Sequence, residues 1–265
     1  MKSVEKRTLA VLNKSAEYYK MMRVWHGKKP DGAALESEVR DILLRNARGA
    51  VLDAGCGEGA LVRWMLKHTH PKEVVGVDAS KLGVDMARNA VRDNRVRFQQ
   101  VNLKHLPFKD DCFDFVVCHS VLEHVVDYPE ALKEFFRVLE PGGHLLIRLG
   151  NEHGQPKLLF LLNCLLHLNK SKHVNPSLKL RKSSDHDHMH NFDVNVIPSD
   201  ALLKDVKLAG FKVRYFSTGF KSYVNNPEFK QNSWLVRAAI WGLAKFAFFP
   251  FNHLGGLIII LGEKP

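Results

Sequence analysis

The sequence predicts an α/β protein built on a doubly wound, mostly parallel sheet. From residue 50 to residue 149, short apolar runs alternate with segments of helical apolar spacing, which is typical of a chain that crosses over such a sheet. The first run, 51–54, passes into a loop with glycine at positions 55, 57 and 59, and the second run, 74–77, ends at Asp78. A glycine loop after one strand and an acid at the end of the next indicate a nucleotide site.

The composition is that of a soluble globular protein. The chain has 265 residues, of which 45% are hydrophobic and 25% are charged, and this is enough for one domain with elaborations. Its four cysteines show no paired C-x-x-C spacing, so the sequence indicates neither a zinc ribbon nor a disulfide framework. The chain opens with Met-Lys-Ser-Val-Glu-Lys-Arg-Thr, without the apolar stretch of a signal peptide. We therefore expect a cytoplasmic protein with reduced thiols.

The chain divides into four predicted segments. These are a helical cap at 1–46, a core at 47–150, an insertion at 151–198 and a final part of the sheet at 199–265. Apolar spacing predicts helices at 1–26 and 34–45 before the core. In the core, strands and helices are predicted to alternate at 50–54, 60–67, 74–78, 82–92, 96–100, 113–118, 129–139 and 143–149. Beyond residue 150, the predicted elements are helices at 157–168, 199–209 and 234–249 and strands at 211–216 and 257–261.

Four sequence blocks indicate which kind of nucleotide site this is. The glycines form G-x-G-x-G preceded by Asp53, whereas the dinucleotide fingerprint is G-x-G-x-x-G. Three more blocks follow in order: 102–117 contains Leu-Pro-Phe-Lys-Asp-Asp-Cys-Phe-Asp, 119–125 contains Leu-Glu-His-Val, and 136–143 is Phe-Arg-Val-Leu-Glu-Pro-Gly-Gly. Together these blocks resemble the class I S-adenosylmethionine-dependent methyltransferases, in particular small-molecule enzymes similar to those of ubiquinone and menaquinone biosynthesis.

The resemblance implies both a fold and a cofactor. The fold is a Rossmann-like sheet of seven strands with an antiparallel last strand and added helical insertions, and the cofactor is S-adenosylmethionine. In this family the glycine-loop backbone surrounds the methionine part, so Asp53 is expected to orient the ammonium group and Asp78 to accept from the ribose hydroxyls. Asn102 stands where the family often has an aspartate that accepts a hydrogen bond from the adenine amine. By the same resemblance, Leu103 provides an apolar contact to the adenine ring, and the backbone carbonyl of His119 binds the ammonium group of the cofactor. The predicted cofactor-binding set is Asp53, Gly55, Cys56, Gly57, Asp78, Ala79, Asn102, Leu103 and His119.

A histidine-rich segment supplies the candidate acceptor-side base. Methyl transfer from a sulfonium mainly needs positioning, but a hydroxyl acceptor must lose a proton, and histidine titrates near neutrality. Residues 185–192, Asp-His-Asp-His-Met-His-Asn-Phe, resemble an H-x-N-F element of related methyltransferases, so we predict His190 as base or orienter, then His188 and His186. A divalent-metal site and a plain polar loop are the alternatives, and no metal ligand is assigned. His124 is expected to be a packed helix residue.

The net charge of +11 and a pI of about 9.5 indicate an anionic partner or a basic solvated surface. Residues 157–182 contain six lysines and arginines and no acid, and such a stretch attracts nucleic acid, acidic lipid headgroups or an anionic substrate. Of the two apolar helices, 157–168 is too short to span a membrane and 234–249 carries Arg237 and Lys245. These helices are expected either to pack as an ordinary outer layer or to form an acceptor pocket or a peripheral contact with an anionic membrane.

The function predicted from this resemblance is methylation of a small, lipophilic or anionic acceptor, with O-methylation favoured over C-methylation. The alternatives are a nucleic-acid methyltransferase and a non-catalytic or NAD-binding relative of the fold. The sequence at 118–121 is Cys-His-Ser-Val instead of the Asn/Asp-Pro-Pro-aromatic element of enzymes that methylate exocyclic amines, and no RNA-binding module is evident. The glycine spacing argues against NAD, and Asn102 is the one departure that counts toward lost activity.

Overall fold

The computed structural model describes residues 35–150, 197–217 and 257–265. Its helices are α1 (Ser37–Asn46), α2 (Ala60–His68), α3 (Lys81–Ala90), α4 (Tyr128–Val138) and α5 (Ser199–Leu208), with a 3₁₀ turn at Leu122–His124. Its strands are β1 (Arg48–Ala54), β2 (His70–Asp78), β3 (Val96–Gln100), β4 (Phe113–His119), β5 (Leu139–Gly150), β6 (Lys212–Ser217) and β7 (Leu257–Glu263). The helices predicted at 1–26, 157–168 and 234–249 lie outside the described residues.

The seven strands form one sheet in the order β3-β2-β1-β4-β5-β7-β6. Strands β1 to β5 pair in parallel, and β7 lies antiparallel between β5 and β6. This topology confirms the predicted doubly wound sheet and its antiparallel last strand. After β1 the chain moves outward to β2 and β3 and then returns to β4 on the other side of β1. The carboxyl ends of β1 and β4 therefore flank a topological switch point, where open α/β sheets bind ligands.

β2 and β5 each begin four residues before their predicted start, because pairing continues through residues outside their apolar runs. β2 begins at His70, which pairs with Arg48 of β1, although the apolar run starts only at residue 74. β5 begins at Leu139, which pairs with Phe113, and the predicted Pro-Gly-Gly turn lies within the strand as an irregularity in the pairing register. Backbone hydrogen bonding thus extends both strands at their amino ends, away from the ligand edge.

The core consists of two apolar layers, one on each face of the sheet. Along β4, Phe115 and Val117 belong to the layer beneath α1, α2 and α3, whereas Val116 and Cys118 belong to the layer beneath α4 and α5. All four side chains are fully buried. Strands covered on both faces have continuous apolar runs, which is why the core strands could be located from the sequence. Within the described ranges, no helix has the length and apolar character needed to cross a membrane.

Candidate functional site

The loop between β1 and α2 is pinned to the end of the neighbouring strand β2. The amides of Gly55 and Cys56 both donate to the carbonyl of Val77, at 2.7 and 2.9 Å. Gly55, Gly57 and Gly59 have φ angles of +92°, +51° and +78°, in the left-handed region that side chains disfavour. A Cβ atom on Gly55 would also lie only 2.2 Å from Cγ2 of Val121, so this position excludes any side chain.

Asp78 closes the loop from the end of β2. Its Oδ2 accepts from the Gly57 amide at 2.9 Å, and its Oδ1 accepts from the Ser80 amide at 2.8 Å. Burial raises the pKa of Asp78, and these two amide donors partly oppose the rise. Each carboxylate oxygen can accept more than one hydrogen bond, so Asp78 keeps acceptor capacity for the two hydroxyls of a ribose.

Asp53, next to the end of β1, is a buried acid with an unsatisfied oxygen. Asp53 is 2% exposed, and within the described part of the chain its Oδ2 has no hydrogen-bond partner. Burial, with the charge of Asp78 as a second cause, raises the pKa of Asp53 to about 8. A buried carboxyl of this kind is costly unless a donor or a cation pairs with it. The site therefore fits a ligand that presents an ammonium group, as S-adenosylmethionine does.

Three predicted cofactor residues follow the carboxyl ends of β2 and β3. The Ala79 carbonyl accepts a hydrogen bond of 3.1 Å from the side-chain amide of Gln100. The exposed Asn102 accepts at Oδ1 from the Lys104 amide at 3.0 Å, which leaves that oxygen a second lone pair for an amine. Leu103 is 5% exposed and belongs to the apolar core. The three residues share one edge of the sheet with Asp78, and their contacts to a cofactor stay predictions.

Cys56 is buried and His124 is half-buried, and neither carries a charge. Cys56 lies within the glycine loop, and burial raises the pKa of its thiol well above the usual value, so the thiol stays protonated. His124 ends the 3₁₀ turn, and burial lowers its pKa, so the imidazole stays neutral. The predicted contact of Cys56 with the cofactor and the predicted packing role of His124 stay predictions.

A second polar group, which the sequence analysis missed, lies where β4 and β5 end. The guanidinium of Arg148 donates to Glu36 Oε1 at 2.5 Å and to Ser120 Oγ at 2.6 Å, and the Ser120 amide donates to the Arg148 carbonyl at 2.7 Å. Nε2 of His119 lies 4.0 Å from Glu36 Oε2. Burial tends to raise the pKa of Glu36, but the charge of Arg148 and its hydrogen bonds outweigh this and leave that pKa lowered. The signal in the sequence was a single charged residue inside the apolar run 145–149.

The predicted acceptor-side histidines, His186, His188 and His190, lie outside the described residues, as do the basic stretch 157–182 and the metal alternative. Across 35–150, 197–217 and 257–265, no group of three His, Cys, Asp or Glu side chains is arranged to hold a metal ion.

The raised pKa of Asp53 predicts a pH-dependent stability. Between its unfolded value of 3.8 and about 8, the folded protein keeps a proton that the unfolded chain releases. The free energy of unfolding of the wild type should therefore fall with rising pH across this window, by up to about 1.4 kcal/mol per pH unit relative to Asp53→Asn. Denaturant unfolding at pH 5 to 9 measures this, and the difference should level off above pH 8.

The exposed acid Asp85 provides the matched control for this experiment. Asp85→Asn removes a carboxyl whose pKa is lowered by a hydrogen bond from Lys81, so its stability difference from the wild type should not grow between pH 5 and 8. Parallel curves for Asp53→Asn and the wild type would contradict the assignment of Asp53 as a buried, protonated acid.

Comparison with known proteins shows which proteins this chain is similar to. Residues 52–147 match the methyltransferase domain family. The chain is 32% identical over 168 residues to the uncharacterized methyltransferase YcgJ of Bacillus subtilis, covering 62% of this chain and 64% of that protein. It is 36% identical over 102 residues to the ubiquinone/menaquinone biosynthesis C-methyltransferase UbiE of Vibrio campbellii, covering 37% of this chain and 39% of that protein. A structure of Haemonchus contortus phosphoethanolamine N-methyltransferase 2 with S-adenosyl-L-methionine has a TM-score of 0.62 at 18% identity, covering 97% of this chain and 60% of that one.

The family match spans the segment that builds the glycine loop, Asp78 and the carboxyl ends of β3 and β4. The chain spans less than two thirds of the length of the two curated relatives, and the solved structure shares its fold. The matched segment includes the G-x-G-x-G loop and the three blocks that carry the sequence resemblance. Residues 52–147 of this chain thus match the methyltransferase domain family, and the curated relatives compared above are named as methyltransferases.

Proposed function

We propose that this protein is an S-adenosylmethionine-dependent methyltransferase that acts on a small acceptor. The observation that carries the proposal is the meeting of three features at one edge of the sheet. These are a glycine loop in the left-handed conformation, the buried Asp53, whose Oδ2 has no hydrogen-bond partner among the described residues, and Asp78 with acceptor capacity. The family match at 52–147 supports the same conclusion.

Each of these residues has a binding task in the proposed function. When bound, S-adenosylmethionine supplies a methyl group already activated by its sulfonium. Asp53 would release its proton to solvent and pair with the ammonium group of the ligand. Asp78 would accept hydrogen bonds from the ribose hydroxyls, and Asn102 would accept one from the adenine amine. Leu103 would cover the ring, and the His119 carbonyl would hold the methionine end. The protein contributes mainly position and exclusion of water, which an in-line displacement needs.

Calorimetry with S-adenosylhomocysteine and S-adenosylmethionine tests the cofactor. We expect micromolar binding to the wild type and no binding of NADH. Asp78→Ala should weaken binding by about 100-fold or more, because hydrogen bonds to a charged acceptor contribute about 1.5–3 kcal/mol each. Asp85→Ala, which removes an exposed acid of α3, should bind as the wild type does. A wild type that binds neither adenosyl ligand would overturn the enzyme assignment.

The acceptor is proposed to be lipophilic or anionic, and the distribution of charge supports this. The described residues contain 21 Lys and Arg against 20 Asp and Glu, whereas the remainder of the chain contains 18 against 8. Nearly all of the excess positive charge therefore lies outside the sheet and its described helices. Segments added to the methyltransferase core are where we place acceptor selection, because the core itself serves the cofactor.

The atom methylated is proposed to be oxygen, with His190 and then His188 as the acceptor-side base. Carbon is the alternative, because the Vibrio campbellii relative is named as a C-methyltransferase. Incubation with methyl-labelled S-adenosylmethionine and a panel of phenols, quinone precursors, lipids and total RNA should label a small acceptor. His190→Gln should then lower kcat by about 100-fold or more while leaving S-adenosylhomocysteine affinity unchanged. Label found only in RNA would contradict the proposal of a small-molecule acceptor. A His190→Gln variant with the kcat of the wild type would contradict the proposal that His190 is the base.

We also propose a peripheral contact between this otherwise cytoplasmic protein and anionic membranes. The basic stretch 157–182 and the apolar helix predicted at 234–249 motivate this proposal. In a flotation assay, the protein should rise with vesicles that contain about a third phosphatidylserine and stay at the bottom with neutral vesicles. Raising the salt concentration should release it. Recovery of all the protein in the soluble fraction at low salt would rule the contact out.

A further inference from the structure

Arg148 is a charged residue in an otherwise apolar strand, and it is held by other groups of the same protein. Its side chain is 18% exposed between the buried residues Ile147 and Leu149. A guanidinium in this position is stable only when its donors are paired. Two of its nitrogens bond Glu36 Oε1, at 2.5 and 3.2 Å, and a third bonds Ser120 Oγ. Arg148 thus joins the residue before α1 to the turn after β4.

That turn contains a backbone conformation that serine disfavours. Ser120 has a φ of +57°, in the left-handed region that residues with a side chain disfavour. Such a conformation persists only where surrounding contacts hold it. Arg148 supplies two of those contacts, the hydrogen bond from its side chain to Ser120 Oγ and the one that its carbonyl accepts from the Ser120 amide.

This turn also contacts the glycine loop between β1 and α2. Ser120 redirects the chain so that Val121 lies against Gly55, where a Cβ would be 2.2 Å from the valine Cγ2. On the other side of Ser120 is His119, whose carbonyl is the predicted contact to the cofactor. The conformation of one serine therefore sets the position of both neighbours at the methionine end of the site.

We propose that Arg148, held by Glu36, is a positioning residue for the methionine end of the cofactor site. It acts by keeping Ser120 in the left-handed conformation, which places the His119 carbonyl and the Val121 side chain. This inference rests on the proposed cofactor function, and it concerns a residue that touches the turn and not the ligand.

The test is a rescue experiment with four variants. Arg148→Met should raise the Kd for S-adenosylhomocysteine about tenfold, because the turn is no longer held. Ser120→Gly combined with Arg148→Met should recover most of that loss, since glycine adopts a positive φ at little cost. Arg148→Lys keeps the charge beside Glu36 but lacks the forked guanidinium, so its Kd should lie between those of the wild type and Arg148→Met. Arg214→Met removes another strand arginine paired with a glutamate, Glu263, at the far edge of the sheet, and should bind as the wild type does.

Hydrogen exchange provides a readout that needs no ligand. In Arg148→Met, the backbone amides of the peptide that contains residues 119–121 should exchange hydrogen about tenfold faster than in the wild type. Adding Ser120→Gly to Arg148→Met should restore the slower exchange. Arg214→Met should leave this peptide unchanged.

The outcomes separate this inference from the cofactor function. A wild type that does not bind S-adenosylhomocysteine overturns the cofactor function, and exchange then still decides whether Arg148 holds the turn. If the wild type binds and Arg148→Met loses only thermal stability, with an unchanged Kd, the residue is structural and the proposal is wrong. A Kd that rises but is not recovered by Ser120→Gly contradicts the role of the left-handed turn.

Discussion

The hydrogen bonds from the Gly55 and Cys56 amides to the Val77 carbonyl determine the geometry of the whole ligand edge. They hold the loop after β1 against the end of β2, so that Asp78 reaches the Gly57 amide. This closure is compatible only with a backbone that turns through positive φ, and glycine supplies that at positions 55, 57 and 59. The parallel pairing of β1 with β2 and β4 then brings Asp53, Asp78 and His119 to the same edge.

The same closure places two acids in a desolvated region. Asp53 and Asp78 both have raised pKa values because water is excluded, and the charge of Asp78 contributes to the rise at Asp53. An unliganded protein gains nothing in stability from this arrangement. Residues that bind a cationic, hydroxyl-rich ligand are expected to be strained or unsatisfied in its absence, and Asp53 Oδ2 has this property.

The parallel core of the sheet and the glycine loop with the acid after the next strand could be predicted from the sequence, because they depend on local patterns. The antiparallel last strand followed from the family resemblance, and the contacts of individual residues to the cofactor stay predictions. Apolar strands buried on two faces, the glycine loop and the acid at residue 78 are all visible over short stretches. The Glu36, Ser120 and Arg148 group could not be predicted in this way. Its members are 28 and 112 residues apart and meet only through the pairing of β4 with β5 and the packing of α1. The start of β2 at His70 was not predicted for a similar reason, because it depends on pairing with Arg48 of β1 and not on the side chains of β2 itself.

The position of β7 has a consequence for how the protein is made. β7 lies between β5 and β6, yet its residues 257–263 are translated after both. Until they leave the ribosome, β5 presents an open row of backbone amides and carbonyls along its apolar length, and β6 has no neighbour in the sheet. Unpaired strand edges of this kind recruit other chains. We therefore expect the nascent protein to be prone to aggregation until this single apolar strand is inserted.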